Sequence, residues 1–375
     1  MDDYVTGTVR QLLCRAKHLT ERVPSPPSPA LAPLLASCHK KITQITADLQ
    51  WLLNEPALLL PANQPARFRA LRRCVGELDL VETQGIAALE RSHDDDLHLN
   101  RLLARICAEV NYPLPTPVVS TLSQAYFRII PGLNLLCVPL SEARFLLHLP
   151  DLFHEIAHPL LIPPPTGATF AFQQATAHAL LTALDYLGNE ARDQGRGRGP
   201  EKMTFMLGAW TQSWRSWAVE LMCDLFAALT VGPAFAWAHL HLSAKRGHDP
   251  FEVPRLVPTS HPPDAARMEA VLRALALIGF QADAGQVQDR WQQFLTAAGF
   301  RAEPEYRRCF PSALLEKVCQ AAIQGVTAGN CRMAGPTTCD AVFVLLNDAW
   351  RAFWRAPDSY DAWELQAVES LRQAA

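Results

Sequence analysis

The chain has 375 residues, 49% of them hydrophobic and 19% charged, with a formal net charge of −3. That length carries one large domain or two modest ones with a sizeable core. No basic block stands out, which gives no reason to expect nucleic acid as the main partner. The longest apolar stretch, residues 225–238, is too short for a membrane span and is interrupted by Gly232-Pro233.

Taken in chain order, the sequence reads as mostly helical from 1 to 110. A first helix is expected from about Tyr4 to Glu21, followed by the proline-rich VPSPPSPALAP. Helical periodicity returns over 34–53, 68–80 and 83–110. NYPLPTP breaks the chain at 111–117, and AYFRIIPGLNLLCVPL, 125–140, then reads as a hairpin turning at Pro131-Gly132. Periodicity resumes near Ser141 and continues to about 161, PPPTG follows as a loop, and helices are expected over 168–188, 203–230 and 264–280. EARDQGRGRGPEK joins the first two of these; it lacks the Lys-Ser/Thr pair of a phosphate loop. The tail to 375 reads as helical, with a loop at TAGNCRMAGPTTCD. The expected fold is mainly α with a small antiparallel β-sheet. Texture divides it into a helical region 1–110, a core 111–285 and a helical region 286–375. The ten cysteines form no CxxC pair, and the start MDDYVTGTVRQLL lacks the pattern of a secretory signal, so a reducing, cytoplasmic setting is expected.

The stretch DLFHEIAHPLL, 151–161, carries the chemistry. Leu149, Leu152, Phe153, Ile156, Ala157 and Leu160 form one apolar helical stripe. His154 and His158 are four apart, so they project the same way from successive turns, with Glu155 beside them. This is HExxH: two imidazoles placed to bind zinc, and a carboxylate placed to act as general base. The bland reading is a helix with a solvated polar face. Pro159 removes a backbone donor and disfavours helical geometry at His158, so the helix should end or kink there.

A third ligand is needed, and WTQSWRSWAVELMCDLF, 210–226, supplies a candidate. Trp210, Trp214, Trp217 and Leu221 make a stripe that reads as core. Glu220 borders it, and a charge there needs a partner. A metal would satisfy it; so would a salt bridge to Arg215. Asp224, one turn on, is placed to accept the second ring N–H of a ligand histidine. TSHPPDAARMEAVL, 259–272, puts His261 just before an expected helix start at Pro262-Pro263-Asp264, with Arg267 inside the helix. Elsewhere, SHDDDLH at 92–98 reads as a solvated acidic segment. His178, His239 and His241 read as ordinary core or surface histidines, and Tyr186 is a candidate oxyanion donor by helix placement alone.

HEIAH, VELMCD and SHPPDAAR, in that order, resemble the HExxH, ExxxD and HPPxxxR signatures of the HtpX-like and CAAX-prenyl-endopeptidase-type zinc metallopeptidases, which are gluzincins. The resemblance covers about 125–280. It implies a zincin-like core with helical flanks, Zn²⁺ held by His154, His158, Glu220 and a water, and Glu155 as general base. Asp224 would support a ligand histidine, His261 would stabilise the oxyanion, and Arg267 would help hold the Glu220 helix. It also implies a small sheet before the active-site helix, with NLLCVPL as the edge strand lining the cleft. Members of that family span membranes several times, and this chain has no candidate span, so it would be a soluble relative acting on a peptide or protein substrate. The alternative is a catalytically silent gluzincin-fold binding or regulatory protein with a structural zinc. In either case the helical flanks could bind a protein partner.

Overall fold

The computed structural model describes residues 2–22, 28–123, 126–162, 165–196 and 203–374. Parts of the segments read as loops from sequence, 23–27, 163–164 and 197–202, lie outside the described residues. The chain groups into two compact units, one of residues 1–103 and 116–143, the other of 104–115 and 144–374. Residues 286–374 therefore share a unit with HEIAH.

The first unit holds α1 (Asp2–Arg22), α2 (Ala32–Asn54), α3 (Pro56–Leu59), α4 (Gln64–Leu80), a π-helical turn (Val81–Ile86), α5 (Ala87–Glu90) and the start of α6 (Asp94–Glu109). In α2, Leu34, Cys38, Ile42, Ile45, Leu49 and Leu52 recur at helical spacing and all are buried. They meet Val5, Val9 and Leu12 of α1 and Leu71, Cys74 and Leu78 of α4 in one core. Each fully buried aliphatic side chain contributes about 1.5–3 kcal/mol relative to exposure. The expected helix over 83–110 is interrupted at 91–93, and Asp96 accounts for the restart. Its carboxylate accepts from the His93 backbone N–H at 3.0 Å, which satisfies a donor at the start of α6.

The sheet has three strands, β1 (Val118–Ser123), β2 (Arg128–Ile130) and β3 (Leu135–Pro139), in the order β1-β3-β2. The hairpin is present: β2 pairs antiparallel with β3, with Ile129 opposite Leu136. Two expectations need correction. The sheet is mixed, because β1 pairs parallel with β3, Val119 opposite Leu136. NLLCVPL is also the central strand and not an edge, and the run Leu135, Leu136, Cys137, Val138 is buried throughout, as a strand covered on both faces requires. Adjacent-strand reasoning finds the hairpin; a pairing between segments that are not neighbours leaves no local signal.

The outer edge of β1 is closed by side chains of α6. Asn100 donates through Nδ2 to the Val119 carbonyl at 2.8 Å and accepts the Val119 N–H on Oδ1 at 3.0 Å. Asp96 Oδ1 accepts the Thr121 N–H at 2.7 Å and its hydroxyl at 2.9 Å. SHDDDLH is thus not wholly solvated: Asp94 is exposed, but Asp96 and His98 are buried.

The second unit is helical throughout its regular structure: α7 (Asp151–Ala157), α8 (Phe170–Gly195), α9 (Met203–Val231), α10 (Pro233–Arg246), α11 (Asp264–Leu277), α12 (Gln281–Ala298), α13 (Pro304–Cys309), α14 (Ser312–Ala328), α15 (Ala341–Arg355) and α16 (Tyr360–Ala374). α9 is its centre and packs against α7, α8, α10, α11, α14 and α15. Trp210, Trp214 and Trp217 of α9 are fully buried, as a core stripe should be. α8 and α14 approach closely at Gly325, where a Cβ would lie 2.8 Å from the Ala175 Cβ. α9 and α10 are separated by Gly232, whose φ of 72 and ψ of −145 are backbone angles open to glycine, and it divides the apolar stretch 225–238 between the two helices. No helix among the described residues is long and apolar enough to cross a membrane.

The sequence placed a helix from Ser141 onwards, and this needs correction. Only a 3₁₀ turn, Glu142–Arg144, forms there, and α7 begins at Asp151 after Pro150. Proline disfavours the helical region for the residue before it, which holds the start at this point. Leu149 stays buried although it lies outside the helix.

Candidate metal centre

α7 and α9 bring the two halves of the site together. All seven residues of α7 are buried, including His154 and Glu155. The helix gives way to a 3₁₀ turn, His158–Leu161, where Pro159 was expected to end it. His158 itself keeps right-handed helical backbone, φ −53 and ψ −47, so the proline does not turn its imidazole away. His154 Nε2 and His158 Nε2 face each other at 3.2 Å.

His154 Nδ1 bonds to Asp224 Oδ1 at 2.8 Å. Arg267 of α11 then clamps the same carboxylate, donating through Nε to Oδ2 at 2.7 Å and through Nη2 to Oδ1 at 2.6 Å. Asp224 is fully buried and Arg267 nearly so. This row fixes the ring of His154 and aims Nε2 away from Asp224, and Phe235 stacks on the same ring at a centroid distance of 6.3 Å. Arg267 holds the helix that carries Glu220, by way of Asp224. The alternative partner for Glu220, Arg215, is exposed. The ion pairs of Glu220 are with histidines: Oε2 lies 3.5 Å from His154 Nε2 and 3.7 Å from His261 Nε2.

His261 sits on the loop before α11, and its side chain is 62% exposed. The loop is tied to α9, because Trp217 Nε1 donates to Thr259 Oγ1 at 3.2 Å and the Thr259 N–H donates to Ser213 Oγ at 3.0 Å. Ser260 Oγ lies 2.9 Å from His261 Nδ1, which orients the ring.

The charges respond to this arrangement. Burial alone would lower the pKa of His154, but hydrogen bonds to Asp224 and Glu220 outweigh it and raise it to about 10. Burial and the neighbouring His154 lower His158 to about 4, leaving it neutral with a lone pair to offer. Glu220 is half-buried, which opposes ionisation, yet its histidine neighbours bring its pKa below the usual carboxylate value. Asp224 is held ionised against its burial by Arg267 and His154. Positive charge is therefore stabilised at His154 Nε2, where a metal ion and a proton would compete.

The donor set fits a metal. A tetrahedral zinc with Zn–N of about 2.0–2.1 Å sets two nitrogens roughly 3.3 Å apart, close to the observed 3.2 Å. The group whose ligand atoms all lie within 4.8 Å of one another is His154, His158 and Cys223, and it could hold a metal ion. Cys223 was missed by the sequence reading, although VELMCD contains the signal: it lies three residues after Glu220, one turn along the same helix. It is fully buried, and burial with the nearby carboxylates pushes its thiol pKa well up.

One other expectation falls elsewhere, that for Tyr186, and the reading of His239 as a core histidine holds. Tyr186 donates its hydroxyl to the Arg308 carbonyl at 2.9 Å and is committed there. His239 is buried, its Nε2 3.0 Å from the Asp264 carbonyl at the start of α11. A cleft of about 1500 Å³ lies among α11, α12 and α13, lined by Met268, Trp291, Arg301 and Tyr306, and includes none of the cluster.

No protein-family model matches the chain, and comparison with curated proteins and with solved structures likewise found no match.

Proposed function

We propose that the chain is a zinc-dependent endopeptidase of gluzincin type, a relative of the HtpX-like and CAAX-prenyl-endopeptidase-type enzymes, with no helix among the described residues long and apolar enough to cross a membrane. His154, His158 and Glu220 would hold the zinc. The observation that carries this reading is the facing pair of imidazole nitrogens at 3.2 Å, one of them backed by the Asp224–Arg267 row. The facing nitrogens of His154 and His158, with the half-buried Glu220 carboxylate 3.5 Å from the first, support a cation site, for which Glu155 of HExxH would be the base.

When bound, zinc would polarise the substrate carbonyl and lower the pKa of its water. Glu155 takes a proton from the attacking water as the new C–O bond forms, then gives it to the amine as the C–N bond breaks. His261, exposed and oriented by Ser260, donates to the oxyanion that develops on the carbonyl oxygen. Asp224 and Arg267 touch no substrate; they keep the His154 ring in its ligating tautomer.

A second reading has its own support. Cys223 lies close enough to both histidines to complete a closed, structural site, which suits a catalytically silent binding protein. Metal content by mass spectrometry, wild type beside Glu220→Ala, tests the ligand set: near one zinc per chain is expected, with loss in the variant. Zinc retained in full by Glu220→Ala would remove Glu220 as a ligand, and a chelator-free wild type without zinc would end the reading. A mixture of unstructured peptides tests the activity: hydrolysis by wild type should fall by about 10²–10⁴ in Glu155→Gln while zinc stays bound. Equal rates in the two would remove the mechanism.

A further inference from the structure

Cys223 stands apart from the other buried cysteines. Cys38 packs against Gly85, and Cys319 donates to the Ala270 carbonyl at 3.3 Å; both are ordinary interior thiols. Cys223 instead lies on α9 about one turn beyond Glu220, which it follows by three residues, and directly precedes Asp224. Asp224 reaches the inner nitrogen of His154, Glu220 approaches the outer one, and Cys223 lies on the same stretch of α9, facing both imidazoles. A buried thiol so close to two imidazoles is a strong metal ligand once its proton is gone.

We propose that Cys223 is itself a ligand of the ion held by His154 and His158, so that the resting site is closed by a thiolate and the substrate's water enters only when that thiolate leaves. The proposal rests on the reading of the site as a zinc site. His154, His158 and Cys223 make three converging protein donors; Glu220, outside that group but 3.5 Å from His154 Nε2, would be the fourth, the number that fills a structural zinc, whereas a catalytic zinc keeps one position open. The distances permit it. With Zn–S of about 2.3 Å and Zn–N of about 2.05 Å, a tetrahedral S–N edge is roughly 3.6 Å. The three donor atoms already lie within 4.8 Å of one another, so rotamer-scale contraction closes the site. The thiol proton would pass to solvent as the metal–sulfur bond forms; on opening, that bond would break as water takes the position, and the released sulfur would take a proton back from solvent. A soft donor beside two imidazoles selects zinc, cobalt or cadmium over magnesium, calcium or manganese.

Cobalt(II) added to the metal-free full-length protein separates the alternatives, in a Cys14→Ser, Cys339→Ser background that removes the exposed thiols. The expected result is tetrahedral ligand-field bands in the visible together with a sulfur-to-cobalt charge-transfer band in the near ultraviolet. Cys223→Ser should lose the charge-transfer band, keep the visible bands, and hydrolyse the peptide mixture faster than its parent. Visible bands without charge transfer in the parent would overturn thiolate ligation and leave the zinc-site reading standing. Charge transfer that survives Cys223→Ser would also overturn it. No cobalt bands at all would overturn both. If the variant does not fold, X-ray absorption on the zinc-loaded parent decides, by the presence or absence of a sulfur shell at about 2.3 Å. Charge transfer lost as expected, with measurable but unaltered hydrolysis, would overturn the closure. Ligation confirmed with no hydrolysis by either protein would instead sink the peptidase reading.

Discussion

Buried polar groups occur in both units, and they are built on opposite principles. In the first unit, Asn100 and Asp96 of α6 meet the backbone of β1, donor to acceptor, at 2.7–3.0 Å. Each atom has a partner of the opposite kind, and nothing further is called for. In the second unit, the row Arg267–Asp224–His154 is equally well matched up to the His154 ring. Beyond that ring the pattern inverts: His154 Nε2 faces another imidazole nitrogen, and a carboxylate and a thiol gather round it. Polarity satisfied within the protein is structural. Acceptors converging on one point are satisfied by a cation between them, and here a proton on His154 or a metal ion could serve. The comparison separates the Asn100 cluster, which stabilises a sheet edge, from the His154 cluster, which has the makings of a site.

The largest expected effect tests whether the charged row in the second unit is as indispensable as its burial suggests. Arg267→Met keeps the length and removes the charge, leaving the Asp224 carboxylate buried with only His154 as a counterweight. Breaking such a pair costs about 3–5 kcal/mol, measurable by denaturant unfolding of the metal-free chain. Arg267→Met with Asp224→Asn should recover part of that loss, because the stranded charge goes too. A single variant as stable as wild type would mean that the row does not hold the fold.

The sheet-edge cluster should respond more weakly and in a different readout. Asn100→Leu strands the Val119 N–H and carbonyl at a buried position, at about 1–3 kcal/mol for each group left unmet. Metal content should not move, since Asn100 is no part of the His154 cluster. Zinc lost in a folded Asn100→Leu protein would blur the distinction between the two clusters.

What the sequence made legible follows the same division. Contacts within one helical turn could be read: HExxH, the Trp210–Trp214–Trp217 stripe, and Asp224 one turn beyond Glu220. The end of α7 at Pro159 could be read because proline acts on its neighbours. The start of α7 was misplaced because the apolar stripe runs through Leu149, and periodicity alone does not register Pro150. The parallel partner of β3 and the use of Asp96 and Asn100 against β1 were out of reach, since both depend on segments with no local pattern in common. Cys223 was within reach and overlooked, because a lone cysteine in an apolar helix looks like core until two histidines are placed against it.

Asp224→Asn strands the buried Arg267 charge and should destabilise the fold much as Arg267→Met does; its effect on zinc affinity is the smaller readout and the sharper discrimination. Asparagine can still accept from His154 Nδ1 through Oδ1, so ring orientation survives while the negative charge is lost. If Asp224 serves only to hold the fold, the variant should show a stability change with no change in affinity for zinc. If it raises the basicity of His154 as a ligand, zinc affinity should fall by about 10–100-fold, read by competition against a chelator in protein that remains folded. Burial of Asp224 beside both Arg267 and His154 favours the second result, because the carboxylate that anchors Arg267 is also the one that keeps electron density on the His154 ring. Unchanged affinity would place the row with Asn100, as architecture, and leave the converging nitrogens to be explained without a metal.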